Sequence, residues 1–355
     1  MPTPELLDRL LRAAGPSGHE TAPARVWRDA AGEFSDDVRA DRLGSSVVRI
    51  RSRPPHADGP TLAVIGHIDE IGVHVSHIED SGLLRFGEVG GWDPIQLVGQ
   101  RVVLSTRDGE LRGVVGRKPT HLQLGDERDK APKTKDLHID VGAQDGDEAR
   151  AIVRVGDVGV IDVAPLTLRN DRLASRSLDN RIGAYVAAET ARVVAAAGGA
   201  PGDVFGLAVV QEETTLAGAR TSSFGLRPDI AVVVDVTHAT DQPGVELGPD
   251  TKHELGSGPV ICRGTSLHPA VTELLLATAE DEGIPHTIES IGRTTGTDAD
   301  AVHATGAGVP TAVVSIPLRY MHSPVELVAL ADVDATVRLL AAFAQRLGPD
   351  LVLER

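Results

Sequence analysis

The second half of the chain alternates between short apolar runs and longer segments whose apolar residues recur at helical spacing. The runs VFGLAVV, DIAVVVDV and TAVVSIP are β-branched and bounded by turn residues, which is typical of buried strands. Helical spacing is seen in residues 177–199, 268–283 and 327–348. This alternation predicts an α/β fold in which a mostly parallel sheet is flanked by helices.

The first 70 residues continue this pattern. Four leucines, Leu6, Leu7, Leu10 and Leu11, share one face of a predicted helix, and SSVVRIR and TLAVIGH are predicted strands. The opening stretch MPTPELLDRLLRAAG carries charges within its apolar pattern, which favours a helix over a secretory signal.

Residues 71–165 have a different pattern of apolar and polar residues. Short β-like runs dominate, among them GLLRFGEV, RVVLST and LRGVVG, and RDGE joins the last two as a hairpin would. A chain of 355 residues is also longer than one hydrophobic core usually grows. The sequence therefore predicts an α/β domain formed by residues 1–70 and 166–355, interrupted by a β-rich barrel or sandwich in residues 71–165.

Composition and net charge exclude some kinds of binding partner and cellular location. A net charge of −16 argues against nucleic acid and against an anionic membrane surface, both of which attract basic faces. No window reaches the 18 apolar residues of a membrane span. Cys262 is the single cysteine, so no intramolecular disulfide can form, and we expect a cytoplasmic protein.

Carboxylates and imidazoles follow the predicted strands or precede a predicted helix. These residues are His67, Asp69, Asp179, Glu212, Glu213, Asp235 and His322. Each alone has an ordinary interpretation, such as a surface acid, a helix N-cap or a polar loop residue. Ligands often bind at the carboxyl ends of strands in α/β sheets, so together these residues suggest one site.

The chemistry of this set favours metal. The adjacent carboxylates of Glu212 and Glu213 repel each other in a partly desolvated place unless a cation lies nearby. Nitrogen and oxygen donors without thiolate suit zinc, cobalt or manganese. The set is too large and too rich in oxygen for one structural zinc, and it suits two ions about 3.5–4 Å apart.

Six motifs in chain order, GHIDEIG, SLDNRIG, QEETTLAGA, DVTHATDQPG, GTDA and RYMHSP, closely resemble the M42 family of metallo-aminopeptidases. The resemblance extends to GEVGGWDPIQLVGQRV and LHIDVGA in the predicted insertion, so it covers most of the chain. Two departures are Gly66, where the family usually has Ala, and TTLA after the glutamate pair, where Val-Gly-Leu-Arg is more common. All expected ligands are present.

The resemblance implies a zinc-peptidase fold with two divalent ions, zinc or cobalt before manganese. It implies that His67 and Asp235 bind one ion, that Glu213 and His322 bind the other, and that Asp179 bridges them.

It further implies that Glu212 is the general base acting on a metal-bridging water, while Asp69 orients the imidazole of His67. The expected reaction is removal of the N-terminal residue from short peptides. The inserted domain would form dimers, which assemble into a tetrahedral dodecamer.

Two alternatives remain at this point: a glycosidase, a label that members of the family have carried, and an inactive assembly protein that keeps only the shell. The preferred N-terminal residue, the native metal and, apart from the resemblance, the oligomer size are also open. So are the roles of His121, His238, Asp298 and Arg319, which lie in or near the motifs.

Overall fold

The computed structural model describes residues 2–53, 58–125, 130–245, 248 and 251–353. The strands within these ranges are β1 (Val38–Ala40), β2 (Ser46–Ile50), β3 (Leu62–His67), β4 (Gly72–Ile78), β5 (Leu84–Val89), β6 (Arg101–Thr106), β7 (Gly109–Arg117), β8 (Leu137–Asp140), β9 (Val158–Ile161), β10 (Leu166–Leu168), β11 (Arg172–Ser175), β12 (Val204–Val209), β13 (Ile230–His238), β14 (Val260–Gly264), β15 (Thr287–Ile291), β16 (Thr311–Leu318) and β17 (Glu326–Ala329).

The α-helices in the same ranges are α1 (Glu5–Arg12), α2 (Thr21–Ala31), α3 (Pro94–Leu97), α4 (Gly146–Ile152), α5 (Leu178–Ala196), α6 (Glu212–Thr215), α7 (Ala217–Leu226), α8 (Pro269–Asp281), α9 (Ala299–Val302) and α10 (Leu330–Gln345). None of the described helices combines the length and apolarity that a membrane span requires.

A large mixed sheet forms the centre of the α/β part, and its strand order within the described chain is β1-β2-β12-β3-β13-β16-β14-β15. The central strands β12, β3, β13 and β16 are parallel. Antiparallel pairings join β1, β2 and β14 to this centre. The α/β prediction is confirmed, but the sheet is mixed, because its outer strands add antiparallel pairings.

Helices cover both faces of the sheet, which explains the continuous apolar runs of its central strands. In β13, Val232 and Val234 belong to the core shared with α1, α5, α8 and α10. The alternate residues Ala231 and Val233 belong to the core on the opposite face, beside α7 and α9. Both cores end where the strands end, and polar residues follow there.

The chain between β3 and β10 forms a closed barrel in the order β4-β5-β8-β7-β6-β9. It has its own apolar core, which includes Val75, Leu84, Leu104 and Ile139. The predicted β-rich insertion is thus present as a barrel with two short helices, α3 and α4. The domain limits at residues 70/71 and 165/166 stay predictions.

One predicted helix starts later than the sequence pattern indicates. Residues 327–329 continue strand β17, which pairs antiparallel with β11, so that Leu327 lies opposite Ala174. The helix α10 begins at Leu330. A short apolar run fits a strand and a helix equally well by periodicity, and only the neighbouring strand β11 decides between them.

Helix α5 lies directly against the carboxyl end of β3. A Cβ atom added to Gly66 would fall far inside van der Waals contact with the backbone of Gly183 in α5. Glycine at position 66 therefore allows this close approach, which brings the start of α5 beside His67 at the end of β3.

Candidate metal and catalytic site

The structure brings the predicted ligand residues to one edge of the central sheet. His67 ends β3, Asp235 lies near the end of β13, and Glu212 and Glu213 follow β12. Three ligand groups have donor atoms within 4.8 Å of one another: His67–Glu212–Glu213, His67–Asp179–Asp235 and Asp179–Glu213–His322. The tertiary fold thus joins residues that lie up to 255 positions apart in sequence (322 minus 67).

The carboxylate of Asp179 lies between the two imidazoles. Its Oδ1 is 3.1 Å from Nε2 of His67, and its Oδ2 is 3.4 Å from Nε2 of His322. Nε2 of His322 is also 3.4 Å from Oε2 of Glu213. Ser177, rather than Asp179, is the N-cap residue of α5, so the carboxylate is free to face the site.

Asp69 forms hydrogen bonds with the backbone of both glutamates. Its two carboxylate oxygens accept the backbone N–H groups of Glu212 and Glu213, each at 3.1 Å. Its Oδ1 also lies 3.4 Å from Nδ1 of His67, while Nε2 of that ring is 3.7 Å from Oε2 of Glu212. One fully buried carboxylate therefore contacts a candidate ligand and the backbone that carries both glutamates.

Burial sets the electrostatics of the site. It raises the pKa of Glu212 and of Asp235 to about 8, and that of Glu213 well above the carboxyl range, with further contributions from neighbouring carboxylates. Burial opposes charge at Asp179 too, but contacts with the two histidines keep its pKa below the usual range.

These donors fit divalent cations. Without a cation, the buried carboxylates repel one another, and Oε1 of Glu213 has no hydrogen-bond partner within the described chain although it is buried. Buried charges in proteins are paired or coordinate metals. The oxygen and imidazole donors, which lack thiolate, match the preferences of zinc, cobalt and manganese.

Sequence reasoning missed Glu326, the first residue of β17. Its buried carboxylate accepts the backbone N–H of Asp179 at 3.0 Å and that of His322 at 2.9 Å. Burial, followed by the charge of Asp179, raises its pKa well above the carboxyl range. Its position four residues after His322 carries no periodic signal, so only the fold reveals that it joins two ligand segments.

The barrel also reaches the site. In the loop after β5, a Cβ atom added to Gly90 would lie 3.5 Å from Cβ of Glu213, and one added to Gly91 would lie 3.3 Å from Nδ1 of His322. The GEVGG segment of the insertion therefore packs over one side of the ligand cluster.

The residues whose roles the sequence left open fall into different settings. Asp298 is buried, and neither of its carboxylate oxygens has a hydrogen-bond partner among the described residues. Burial, then the charge of Glu212, raises its pKa well above the carboxyl range, which places it close to the site. Arg319 forms an ion pair with Asp241 at 2.6 Å. His121 and His238 are exposed and belong to none of the three ligand groups.

The fold is that of a group of peptidases. A model of the M42 glutamyl aminopeptidases matches residues 44–339. The lysyl aminopeptidase of Pyrococcus furiosus is 36% identical over 349 residues, which cover 97% of this chain and 97% of that protein.

Solved structures agree. The TET aminopeptidase of Thaumarchaeota archaeon SCGC AB-539-E09 has a TM-score of 0.90 at 35% identity, with 97% of this chain and 96% of that chain covered. The TET1 peptidase of Pyrococcus horikoshii, which can assemble into a tetrahedron or a large octahedral shell, has a TM-score of 0.84 at 31% identity, with 97% and 99% covered.

This chain therefore belongs to the M42 family of aminopeptidases. It is a peptide-bond hydrolase of the kind that removes N-terminal residues, and its family is one of metallopeptidases.

Proposed function

We propose that the site binds two divalent ions and that Glu212 is its general base. The observation that carries the proposal is the sharing of Asp179 by two ligand groups, one with His67 and Asp235 and the other with Glu213 and His322. The two oxygens of Asp179 face different imidazoles, Oδ1 towards His67 and Oδ2 towards His322, so this carboxylate could hold an ion on each side. Such ions, when bound, would lower the pKa of a water molecule and polarise the substrate carbonyl.

Glu212 suits proton transfer because it is near the ligands yet outside both groups that share Asp179. In the metal-free protein burial raises the pKa of Glu212 to about 8, and bound cations would lower it, which favours an ionised carboxylate that can accept a proton near neutral pH. In the proposed reaction Glu212 takes a proton from the attacking water and returns it to the leaving amine. Asp69 keeps Glu212 in place through its backbone N–H and orients His67.

The ions are proposed to be zinc or cobalt, with manganese as a further possibility, because the donors are imidazole and carboxylate. The substrates are proposed to be short peptides with a free amine. The oligomeric TET relatives support a homo-oligomer, and we propose dimers that assemble into a tetrahedral dodecamer. A cytoplasmic location remains a prediction, supported by the absence of any cysteine other than Cys262.

The test uses metal-stripped protein refilled separately with zinc, cobalt or manganese. Aminoacyl p-nitroanilides should be hydrolysed only after refilling, and their N-acetylated forms should not be hydrolysed. Glu212→Gln should keep its metal content and lose about 10²–10⁴-fold in kcat. The exposed Glu110→Gln on the barrel is the matched control and should retain full activity.

Three outcomes would redirect the assignment. Unchanged turnover in Glu212→Gln would remove Glu212 from the reaction. Hydrolysis of a cellulose derivative that persists in chelator would favour the glycosidase, which uses a pair of carboxyls and no metal. If no substrate is hydrolysed although metal is bound, the inactive assembly protein is favoured.

A further inference from the structure

A cavity of about 390 Å³ opens beside the ligand cluster, between the sheet and the loop that leads to α9. Ser315 lines it and is the direct neighbour of Asp235 in the β13–β16 pair. Thr237 and Thr297, which also line it, lie within two residues of Asp235 and next to Asp298, respectively. The cavity therefore lies next to Asp235, at one side of the proposed metal site.

The far wall of the cavity carries a carboxylate. Glu289 lies on β15, and the strand order β13-β16-β14-β15 puts three inter-strand steps between it and Asp235. Three steps correspond to roughly 14 Å between backbones. Glu289 therefore lines the part of the cavity that is farther from Asp235, at a separation from Asp235 that suits a long side chain.

Glu289 points towards the sheet rather than into bulk solvent. Its Oε2 is 3.9 Å from Sγ of Cys262, and that sulfur is 3.8 Å from Oγ of Ser315. Cys262 is buried, and Glu289 is only partly exposed. Within the described chain Glu289 has no Lys or Arg nitrogen within ion-pairing distance, which leaves its charge for a ligand.

The remaining surface of the cavity is a mixture of apolar and hydroxyl groups. Val313 and Ile291 provide apolar wall, and the threonines and Ser315 provide hydroxyls. Arg293 also lines the cavity, but it belongs to the exposed loop after β15. The cavity is therefore lined by one partly buried carboxylate, Glu289, and by one exposed cation, Arg293.

We infer that this cavity receives the side chain of the substrate's N-terminal residue and that Glu289 selects a basic side chain, lysine or arginine. This inference rests on the proposed function, because it places the substrate's α-amine among the carboxylates of the proposed metal site. The methylene groups of a basic side chain would lie along Val313 and Ile291. Its cationic end would form a charge-assisted hydrogen bond with Glu289.

The test compares lysyl and norleucyl p-nitroanilides, since norleucine is a straight aliphatic chain without the ammonium group. The unaltered enzyme should favour lysine in kcat/KM by at least about tenfold, the value of one hydrogen bond to a charged group. Glu289→Gln should bring the lysine-to-norleucine ratio close to one, and Glu289→Asp should restore part of it. The exposed Glu280→Gln on α8 is the matched control and should keep the full ratio.

Three results would overturn the inference: a lysine-to-norleucine ratio that Glu289→Gln leaves unchanged, an unaltered enzyme that prefers norleucine, or one that prefers glutamyl substrates and loses this preference in Arg293→Gln. Failure of the proposed function looks different, because no free-amine substrate would then be hydrolysed by any variant.

A second test does not depend on turnover. It compares the increase in Tm that free lysine causes with the increase that free norleucine causes. A larger rise with lysine that disappears in Glu289→Gln supports the inference. Equal rises with both amino acids overturn it.

Discussion

Asp69→Asn tests whether one buried carboxylate organises the site. Asp69 accepts two backbone N–H groups, from Glu212 and Glu213, and lies beside Nδ1 of His67. Asparagine has the same shape but one acceptor oxygen, so its amide N–H₂ must face one of these donors. A buried donor left unsatisfied costs about 1–3 kcal/mol.

Metal affinity should fall as well. Loss of a carboxylate that orients a ligating histidine typically weakens metal binding by about 10–100-fold. We expect Asp69→Asn to lose about 1–3 kcal/mol of stability and to bind zinc about 10–100-fold more weakly. Competition with a chromophoric chelator measures the affinity, and thermal unfolding of the metal-free protein measures the stability.

Asp41→Asn is the matched control. Oδ1 of Asp41 accepts the backbone N–H groups of Leu43, Gly44 and Ser45 in the loop between β1 and β2. Asparagine keeps an acceptor oxygen for these three N–H groups, so the same chemical change there should leave zinc affinity unaltered. If Asp69→Asn binds zinc as tightly as the unaltered protein does, Asp69 does not orient the site, and our reasoning is refuted.

Two further predictions concern the same carboxylate cluster. Because burial raises the pKa of Glu212 and Asp235 to about 8 in the metal-free protein, the folded state holds protons that the unfolded chain has released. The Tm of metal-free protein should therefore fall as pH rises from 5 to 8, and added zinc should reduce this fall; a Tm that rises over this range would contradict the prediction. Glu326→Gln loses one of the two acceptor oxygens that bind the backbone N–H groups of Asp179 and His322. Zinc affinity, measured by calorimetric titration, should therefore drop by about tenfold. Unchanged affinity would show that Glu326 is dispensable for metal binding.

Local pattern was sufficient for much of the fold. The runs that became β3, β12, β13 and β16 are apolar, β-branched and bounded by turn residues, so strand formation follows from their own composition. The change of texture after residue 70 likewise predicted a β-rich insertion. Periodicity failed at residues 327–329, because a short apolar run does not distinguish a strand from the first turn of a helix.

The candidate ligands were predicted because a strand end in an α/β sheet is a recurrent place for polar side chains, and because motif order supplied their roles. Glu326 escaped prediction, since a carboxylate at the start of a strand resembles many surface acids. Its function in the structure depends on two backbone N–H groups from separate segments, and no local pattern encodes such a meeting.

The sequence by itself determined the alternation of strands and helices, the position of the insertion and the chemical types of the ligand residues. These depend on residues close together in the chain. Only the tertiary structure decided that the carboxylate of Asp179 lies between two imidazoles, that Asp69 supports both glutamates, and that Glu289 faces a cavity beside Asp235. Such distances depend on how strands distant in sequence pair and on how closely α5 packs on β3 at Gly66.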